Sequence, residues 1–531
     1  MVGYQASQSM WIFLRCVGTT QSWDRTSVLD DLRVVRLCLR AMQENSTLPM
    51  ASASVAPSSL RQRPEYRATI STLFTDPNWR NMQTACDKEW LVVASRGARS
   101  ALLLAVLAGC GGDSAPSPGG GTSDAAVSDA GPAADASVDA GACSLPAELP
   151  DGPSNSAPWR LATIDVARAP TAVCNDGTPA TFAIRRNPSS KRWMIWLEGG
   201  GECHDGASCD QRWSAASGAE LMSSTTIRAR ATAGTLGFPS SGVFANDPKE
   251  NPAFHDANVV EIQYCSSDLW SGDRAGNSSL PVGDVGKWNF RGRAIAFAAL
   301  TEMLATQGLA DATEVTLGGG SAGAAGIFNI VDEMRAQLPA TARVIAIADG
   351  GFQIGYPAYD ATTKKESTSP VNPVKAIALA GYQNWGGGGD ASCTAAAADQ
   401  TARVFCRSSE NLLLNGHIAT PIMVINNQYD INQVSRLGID LNRNSGKVAD
   451  SFQAAFAKRF AARMRAQLEL VGARHAIFAN YDGLHVTSQS DRAQTTEIGG
   501  VALRDAIAEW HKTPCAPVRR IEAEIAGQPG F

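Results

Sequence analysis

Three features of the chain predict an α/β fold, a mostly parallel sheet with helices on both faces and insertions in its loops. Short apolar runs of strand character alternate with helix-patterned stretches from residue 159 onward. One strand passes through a glycine-rich corner into a helix, in VTLGGGSAGAAGIFNIVDEM, residues 315–334. The polar residues best suited to chemistry each fall just after a strand, where functional groups of open α/β sheets collect.

Trp193–Leu197 (WMIWL) is the first compact strand, and it runs into Glu198-Gly199-Gly200-Gly201. Such a run suits a loop whose backbone N–H groups approach a substrate oxygen; it suits a plain glycine turn equally. Asn258–Tyr264 (NVVEIQY) follows and ends in CSSDLWSG, and Phe290–Leu309 reads as a helix with Ile295, Ala299 and Met303 on one side. Val315–Leu317 have the β-branched, apolar character of a buried strand, and Ile327, Ile330, Val331 and Met334 recur at helix spacing. Val344–Ala348 (VIAIA) is a strand ending at Asp349, residues 352–409 read as an insertion, and Pro421–Asn427 (PIMVINN) is a strand ending near Asp430. Phe452–Leu470 is a helix, His475–Tyr481 a last strand leading to Asp482-Gly483-Leu484-His485, and Val501–Trp510 a closing helix.

Ser321 is the centre of Gly319-x-Ser321-x-Gly323. Between strand and helix this spacing is a nucleophile elbow, a sharp turn that holds the hydroxyl clear of the backbone. A serine hydroxyl needs a base to take its proton, and the base needs a carboxylate to fix its tautomer. Of the six histidines, only His475, His485 and His511 follow Asp430. His475 opens a strand and points away from the loops, and His511 sits at a helix C-terminus as a mild dipole partner. His485 lies in a loop beyond a strand and is the expected base. For the acid, Asp430 and Asp349 both end strands and both stay open on spacing, whereas Asp482 is too close in sequence to His485. The order Ser321, Asp430, His485 is that of α/β-hydrolases.

The chain has 531 residues and a formal charge of −5, room for one large domain plus extras, without the basic excess that nucleic acid would call for. Its one strongly apolar run, Ala101–Ala108, is too short to span a bilayer. Arg96 and Arg99 before it and Leu107-Ala108-Gly109-Cys110 after it read as a secretory signal over residues 93–110. Its end resembles a bacterial lipobox, with Cys110 as the lipidated first residue of the mature chain. Residues 1–92 then read as a gene-model extension or a disordered stretch. Residues 111–158, rich in Gly, Ser, Ala, Asp and Pro, read as a flexible tether. The folded domain is expected over 159–515, with a tail over 516–531. Eight cysteines remain beyond Cys110, an even set that points to disulfides in an exported chain, and Cys393 and Cys406 are placed for a clip in the insertion. No pair among the eight has C-x-x-C spacing and histidines are few, so neither a metal nor a cofactor is expected.

LEGGGEC, NP-x-F-x-x-AN-VV, YCSSDLWSG, FRGRA and GGGSAG, in that order, resemble the pectin acetylesterase / Notum carboxylesterase family over about Trp159–Cys515. The resemblance implies an α/β-hydrolase fold and removal of acyl groups from carbohydrates or, in Notum, from a lipidated protein serine. It implies Ser321 as nucleophile, Asp430 rather than Asp349 as acid, His485 as base, and Gly200, Gly201 and Ala322 as oxyanion N–H donors. It also implies bridges Cys174–Cys265 and Cys203–Cys209; Cys393–Cys406 and Cys143–Cys515 follow by elimination. Two departures bear on specificity. LEGGGEC keeps the third glycine of the plant form, where Notum carries a bulkier aromatic, and Glu202 stands where the plant form has tryptophan. A carboxylate at the mouth is costly to bury unpaired, which points to a short acyl group, acetyl.

The expected protein is a serine carboxylesterase that removes acetyl groups from an acylated polysaccharide through an acyl-enzyme. It is expected to be lipid-anchored in the bacterial cell envelope, at the outer membrane or cell surface. A deacylase of lipid or protein esters is the alternative within enzymes. A non-catalytic glycan-binding surface lipoprotein is the alternative outside them, and the intact triad speaks against it.

Overall fold

Alternation along the strands decides the architecture. In the computed structural model nine strands form one sheet: β1 (Arg160–Thr163), β2 (Thr181–Arg185), β3 (Arg192–Leu197), β4 (Asn258–Ile262), β5 (Glu314–Gly320), β6 (Arg343–Asp349), β7 (Ile422–Ile425), β8 (Ala476–Ala479) and β9 (Arg519–Ile521). Successive side chains of β3 enter opposite cores: Trp193, Ile195 and Leu197 one, Met194 and Trp196 the other. β6 and β7 do the same, with Ala346 and Val424 on the first side and Ile347 and Met423 on the second. A sheet apolar on both faces must be covered on both. Six helices matter here: α1 (Gly206–Ser214), α2 (Gly292–Thr306), α3 (Ala322–Gln337), α4 (Ile431–Arg436), α5 (Ser451–Leu470) and α6 (Leu503–Lys512). Ile295 of α2, Ile327 of α3 and Phe460 of α5 fill the first core, and Leu503, Ile507 and Trp510 of α6 fill the second. Each such side chain contributes about 1.5–3 kcal/mol when fully buried.

The structure describes residues 152–367, 373–441 and 448–529, together with four short strands (2–6, 10–16, 90–96 and 104–105) in a separate unit, Met1–Asp129. Cys110, Cys143 and the tether up to residue 151 lie outside the described residues.

Across the sheet the order is β9-β8-β7-β6-β5-β3-β4-β2-β1. β2 runs antiparallel to β1 and β4, and every other neighbouring pair is parallel. β3 leads toward β4 on one side while β5 leads toward β6 on the other. Their loops therefore diverge, which opens a crevice at the carboxyl ends of β3 and β5.

Several elements differ from expectation. β5 continues through Gly318 to Gly320, which the glycine content assigned to a turn. A Cβ on Gly318 would lie 2.3 Å from the Trp196 ring, so the glycine makes room for the indole of the neighbouring strand. The domain bounds 159–515 are too narrow. Asn155 is buried and donates to the carbonyls of Arg185 and Ala257, and β9 extends the sheet beyond Cys515. β9 is only Arg-Arg-Ile, with no apolar run to betray a strand. α1 and two further helices, Ala216–Glu220 and Thr225–Thr232, were not foreseen, because none presents an apolar stripe.

The amino ends of the strands carry a buried ion cluster. Glu314 opens β5, and its carboxylate meets Arg343 of β6 at 2.6 Å, His511 Nε2 at 2.7 Å and Arg192 of β3 at 3.1 Å. Burial on its own would raise the Glu314 carboxyl, but His511 and the Arg192 and Arg343 guanidiniums hold it far below the usual range, while burial lowers the His511 imidazole itself. His511 is thus a buried partner in an ion network at the opposite pole from the crevice, more than a mild dipole partner. His475 is buried where it opens β8; its Nδ1 accepts the Ile422 N–H, and burial holds the imidazole down to about 3, so it stays neutral. Disulfides join Cys174–Cys265, Cys203–Cys209 and Cys393–Cys406. Cys515 is disulfide-bonded too.

Candidate active site

Ser321 links β5 to α3 with φ 54° and ψ −116°, backbone angles that cost a non-glycine residue about 1–3 kcal/mol. The surroundings hold it there. Its N–H donates to the Asp349 carbonyl at 2.8 Å. A Cβ on Gly323 would fall 1.9 Å from the Leu197 carbonyl oxygen, and one on Gly319 would fall 2.3 Å from the Gly323 carbonyl carbon. The G-x-S-x-G spacing is therefore a packing requirement of the turn. Ala322 follows as the first residue of α3, with one of the N–H groups that a helix leaves without an internal partner.

The turn after β3 abuts this corner: a Cβ on Gly199 would lie 3.1 Å from Ser321 Cβ. Gly200 and Gly201 have φ of 146° and 72°, which explains why the turn is glycine. Arg212 of α1 donates Nη2 to the Gly200 carbonyl at 2.6 Å. In a trans peptide the N–H opposes the C=O, so this bond fixes where the Gly201 N–H points. Glu198 plays a supporting part. One carboxylate oxygen accepts the Tyr264 N–H at 2.8 Å, its carbonyl accepts Trp270 Nε1 at 3.0 Å, and burial beside Glu261 pushes its carboxyl up.

The YCSSDLWSG segment is scaffold for the same turn. Asp268 is buried and accepts from Ser266 Oγ at 2.7 Å, Trp270 N–H at 3.1 Å and Gly292 N–H at 2.7 Å. It thereby ties YCSSDLWSG to FRGRA at the start of α2. Burial pushes its carboxyl up to about 6.

Asp430 is fully buried and caps α4. Oδ1 accepts the Asn432 and Gln433 N–H groups at 2.8 and 3.1 Å, and Oδ2 lies 2.6 Å from His485 Nδ1. An ionised carboxylate only accepts, so Nδ1 carries the proton and Nε2 has a free lone pair. His485 Nε2 is buried and has no partner in the protein. Burial alone would lower the His485 pKa; the Asp430 and Asp349 charges outweigh it and hold the imidazole above its ordinary value. Asn427 Nδ2 fixes the loop by donating to the Leu484 and His485 carbonyls at 2.8 and 3.0 Å. The loop lies over the serine corner: a Cβ on Gly320 would meet Gln489 and Val486, and one on Gly350 would lie 3.1 Å from the His485 ring.

Asp349 does not touch the imidazole nitrogens. Its Oδ2 accepts the Thr487 and Ser488 N–H groups at 2.9 and 2.6 Å while Oδ1 has no partner, and burial pushes the carboxyl up to about 6. Asp482 accepts from Leu484 N–H and Asn480 Nδ2 within its own turn. Ser321, Ala322, Gly200, Gly201, His485 and Asp430 are thus brought to one crevice. Glu202 differs from expectation. It is not an unpaired carboxylate, because Arg436 grips both its oxygens at 2.6 and 2.8 Å. Sequence reading missed Arg436 and Arg212, since nothing in the chain links Glu202 to a residue 234 positions away. Among the described residues, no cluster of three or more His, Cys, Asp or Glu side chains is arranged to hold a metal ion.

A pectinacetylesterase family model matches residues 153–529. The mouse palmitoleoyl-protein carboxylesterase NOTUM is 34% identical over 186 residues, 34% of this chain and 34% of that protein. Pectin acetylesterase 11 of Arabidopsis thaliana is 29% identical over 193 residues, 36% of this chain and 45% of that protein. The chain thus spans about a third to under half the length of these curated relatives. Among solved structures, the Wnt deacylase Notum from Drosophila matches with a TM-score of 0.58 at 26% identity, covering 69% of this chain and 96% of that one.

Proposed function

The chain belongs to the pectinacetylesterase family, and from that premise we propose that it is a serine carboxylesterase that removes short acyl groups, acetyl above all, from an acylated polysaccharide. One observation carries the reading: a half-buried histidine, oriented by Asp430 and with its Nε2 unengaged, on the loop that lies over the strained corner holding Ser321. Ser321 Oγ attacks the ester carbonyl carbon while His485 Nε2 takes the hydroxyl proton. The carbonyl oxygen gains the negative charge, and the Gly200, Gly201 and Ala322 N–H groups stabilise it. When the C–O bond to the sugar breaks, the imidazolium returns its proton to the departing alkoxide, leaving an acetyl-serine and a free sugar hydroxyl. Water then attacks the acetyl-serine with His485 as base, and acetate leaves as Ser321 recovers its proton.

The acyl preference rests on the Glu202–Arg436 pair beside the oxyanion turn, because a long apolar chain laid over it would strip water from the Arg436 guanidinium, the exposed member of the pair. The purified protein is expected to release acetate from acetylated polysaccharides, and to turn over acetyl esters faster than butyryl and far faster than octanoyl esters. Equal rates for octanoyl and acetyl esters would refute the short-acyl reading. Deacylation of a lipidated protein is the second reading, favoured by the 96% cover of the Drosophila Wnt deacylase chain, and fast octanoyl turnover is the result it requires.

The run ending Leu107-Ala108-Gly109-Cys110 supports a lipid anchor on Cys110, which would hold the enzyme at the cell envelope near acylated glycans. Mass spectrometry of the mature N-terminus should find acylated Cys110; an unmodified chain starting at Met1 would end that proposal.

A further inference from the structure

We propose that the Glu202–Arg436 pair is a positioning strap that holds the oxyanion turn in register with the acid-bearing helix and so sets the rate of turnover at Ser321. The inference rests on the catalytic reading above, with Ser321, His485 and Asp430 as the reacting unit. Glu202 and Arg436 act through the turn and the helix they join, not on the reacting atoms.

The placement of the two residues is the first argument. Glu202 directly follows Gly200 and Gly201, the two turn residues whose N–H groups are read as oxyanion donors. Arg436 is the last residue of α4, the short helix whose N-cap is Asp430. The pair therefore joins the two walls between which an ester must lie. Its geometry is bidentate: Nη1 meets Oε1 at 2.6 Å and Nη2 meets Oε2 at 2.8 Å. Two parallel charge-assisted bonds fix orientation as well as separation, which a lysine in the same place could not do. The Glu202 side chain is only 8% exposed, so its charge is poorly served by water and depends on the arginine.

The need for a strap is the second argument. Three successive glycines have the largest backbone freedom of any tripeptide, and an oxyanion hole works only if its donors are held before the charge develops. Other bonds support the turn from one side. Arg212 of α1 holds the Gly200 carbonyl, Cys203 N–H donates to the Ser267 carbonyl at 3.1 Å, and Trp385 Nε1 from the insertion donates to the Cys203 carbonyl at 2.8 Å. Those bonds run to α1, the segment after β4 and the insertion. The bond from Glu202 runs to α4, and so references the turn to the helix that orients His485.

Steady-state kinetics with an acetyl ester tests the strap. Glu202→Gln keeps the shape of the side chain and removes its charge, and Arg436→Lys keeps the charge and removes the fork. Each is expected to lower kcat on the order of 10–100-fold while KM stays within about twofold, because a displaced donor weakens stabilisation of the transition state more than binding of the ground state. The double variant Glu202→Gln/Arg436→Gln should lose no more than Glu202→Gln alone, since both changes break one interaction. Thermal melting of each variant accompanies the kinetics, and Arg436→Lys carries the test if Glu202→Gln fails to fold. An active wild type together with unchanged kcat in the folded variants would overturn the strap, as would fully multiplicative losses in the double variant. A wild type that releases no acetate, or a Ser321→Ala variant that still does, would instead overturn the catalytic reading beneath it.

Discussion

Replacing Ser321 or His485 by alanine is expected to lower turnover of an acetyl ester on the order of 10⁴–10⁶-fold, with the double variant losing little more than either single one. In the proposed mechanism the two side chains act in one proton transfer, so removing either leaves the other with nothing to do. Ser321→Ala removes an intermediate-exposure hydroxyl from a corner whose strain lies in the backbone, and the fold should survive it. A reactive-serine probe should label the wild type and leave Ser321→Ala unlabelled. The same unit predicts a pH profile. His485 must be neutral to accept the proton, and its pKa is held above the ordinary 6.5 by Asp430 and Asp349 against the downward pull of burial. Activity at low substrate should therefore fall as the pH drops through a value above 6.5. Activity in Ser321→Ala near the wild-type level would remove the serine mechanism altogether.

The parts of this site that could be read in the chain are those with a local signature. Gly319-x-Ser321-x-Gly323 is legible because both glycines are demanded within five residues by close backbone contacts. The central strands are legible because β3, β4 and β6 are apolar on both faces, which leaves a dense run in the sequence. β9 is not, since three residues with two arginines pair at the sheet edge through the backbone alone. The choice between Asp349 and Asp430 could not be made from spacing, because both end neighbouring strands. It depends on which carboxylate faces the imidazole and which faces the Thr487 and Ser488 N–H groups. Glu202 shows the same limit in another form: its chemistry changes with a partner that only tertiary structure supplies.

The second large effect is expected at Asp430, where asparagine should reduce turnover by roughly 10⁴-fold without unfolding the protein. The reason is the direction in which the new amide must sit. Oδ1 of Asp430 accepts two N–H groups from the first turn of α4, so the amide oxygen of asparagine has to take that place. Its NH₂ then points at His485 Nδ1, which must become the acceptor. The ring proton moves to Nε2, and the base can no longer take a proton from Ser321. The helix cap is preserved, so thermal melting should change little while kcat collapses. Asp349→Asn is the matched comparison. Its Oδ2 accepts the Thr487 and Ser488 N–H groups, and its Oδ1 has no partner. An amide oxygen can replace Oδ2 and the NH₂ can occupy the unpartnered side, so the loop that carries His485 stays in place and activity should fall by no more than about tenfold, a change of about 1.4 kcal/mol in the barrier. The imidazole also loses a neighbouring negative charge, so the acidic limb of the pH profile should move to lower pH in Asp349→Asn. If Asp349→Asn were folded and inactive while Asp430→Asn kept its turnover, the acid would be Asp349, and the bond between Asp430 and His485 would be a structural cap with no part in the chemistry.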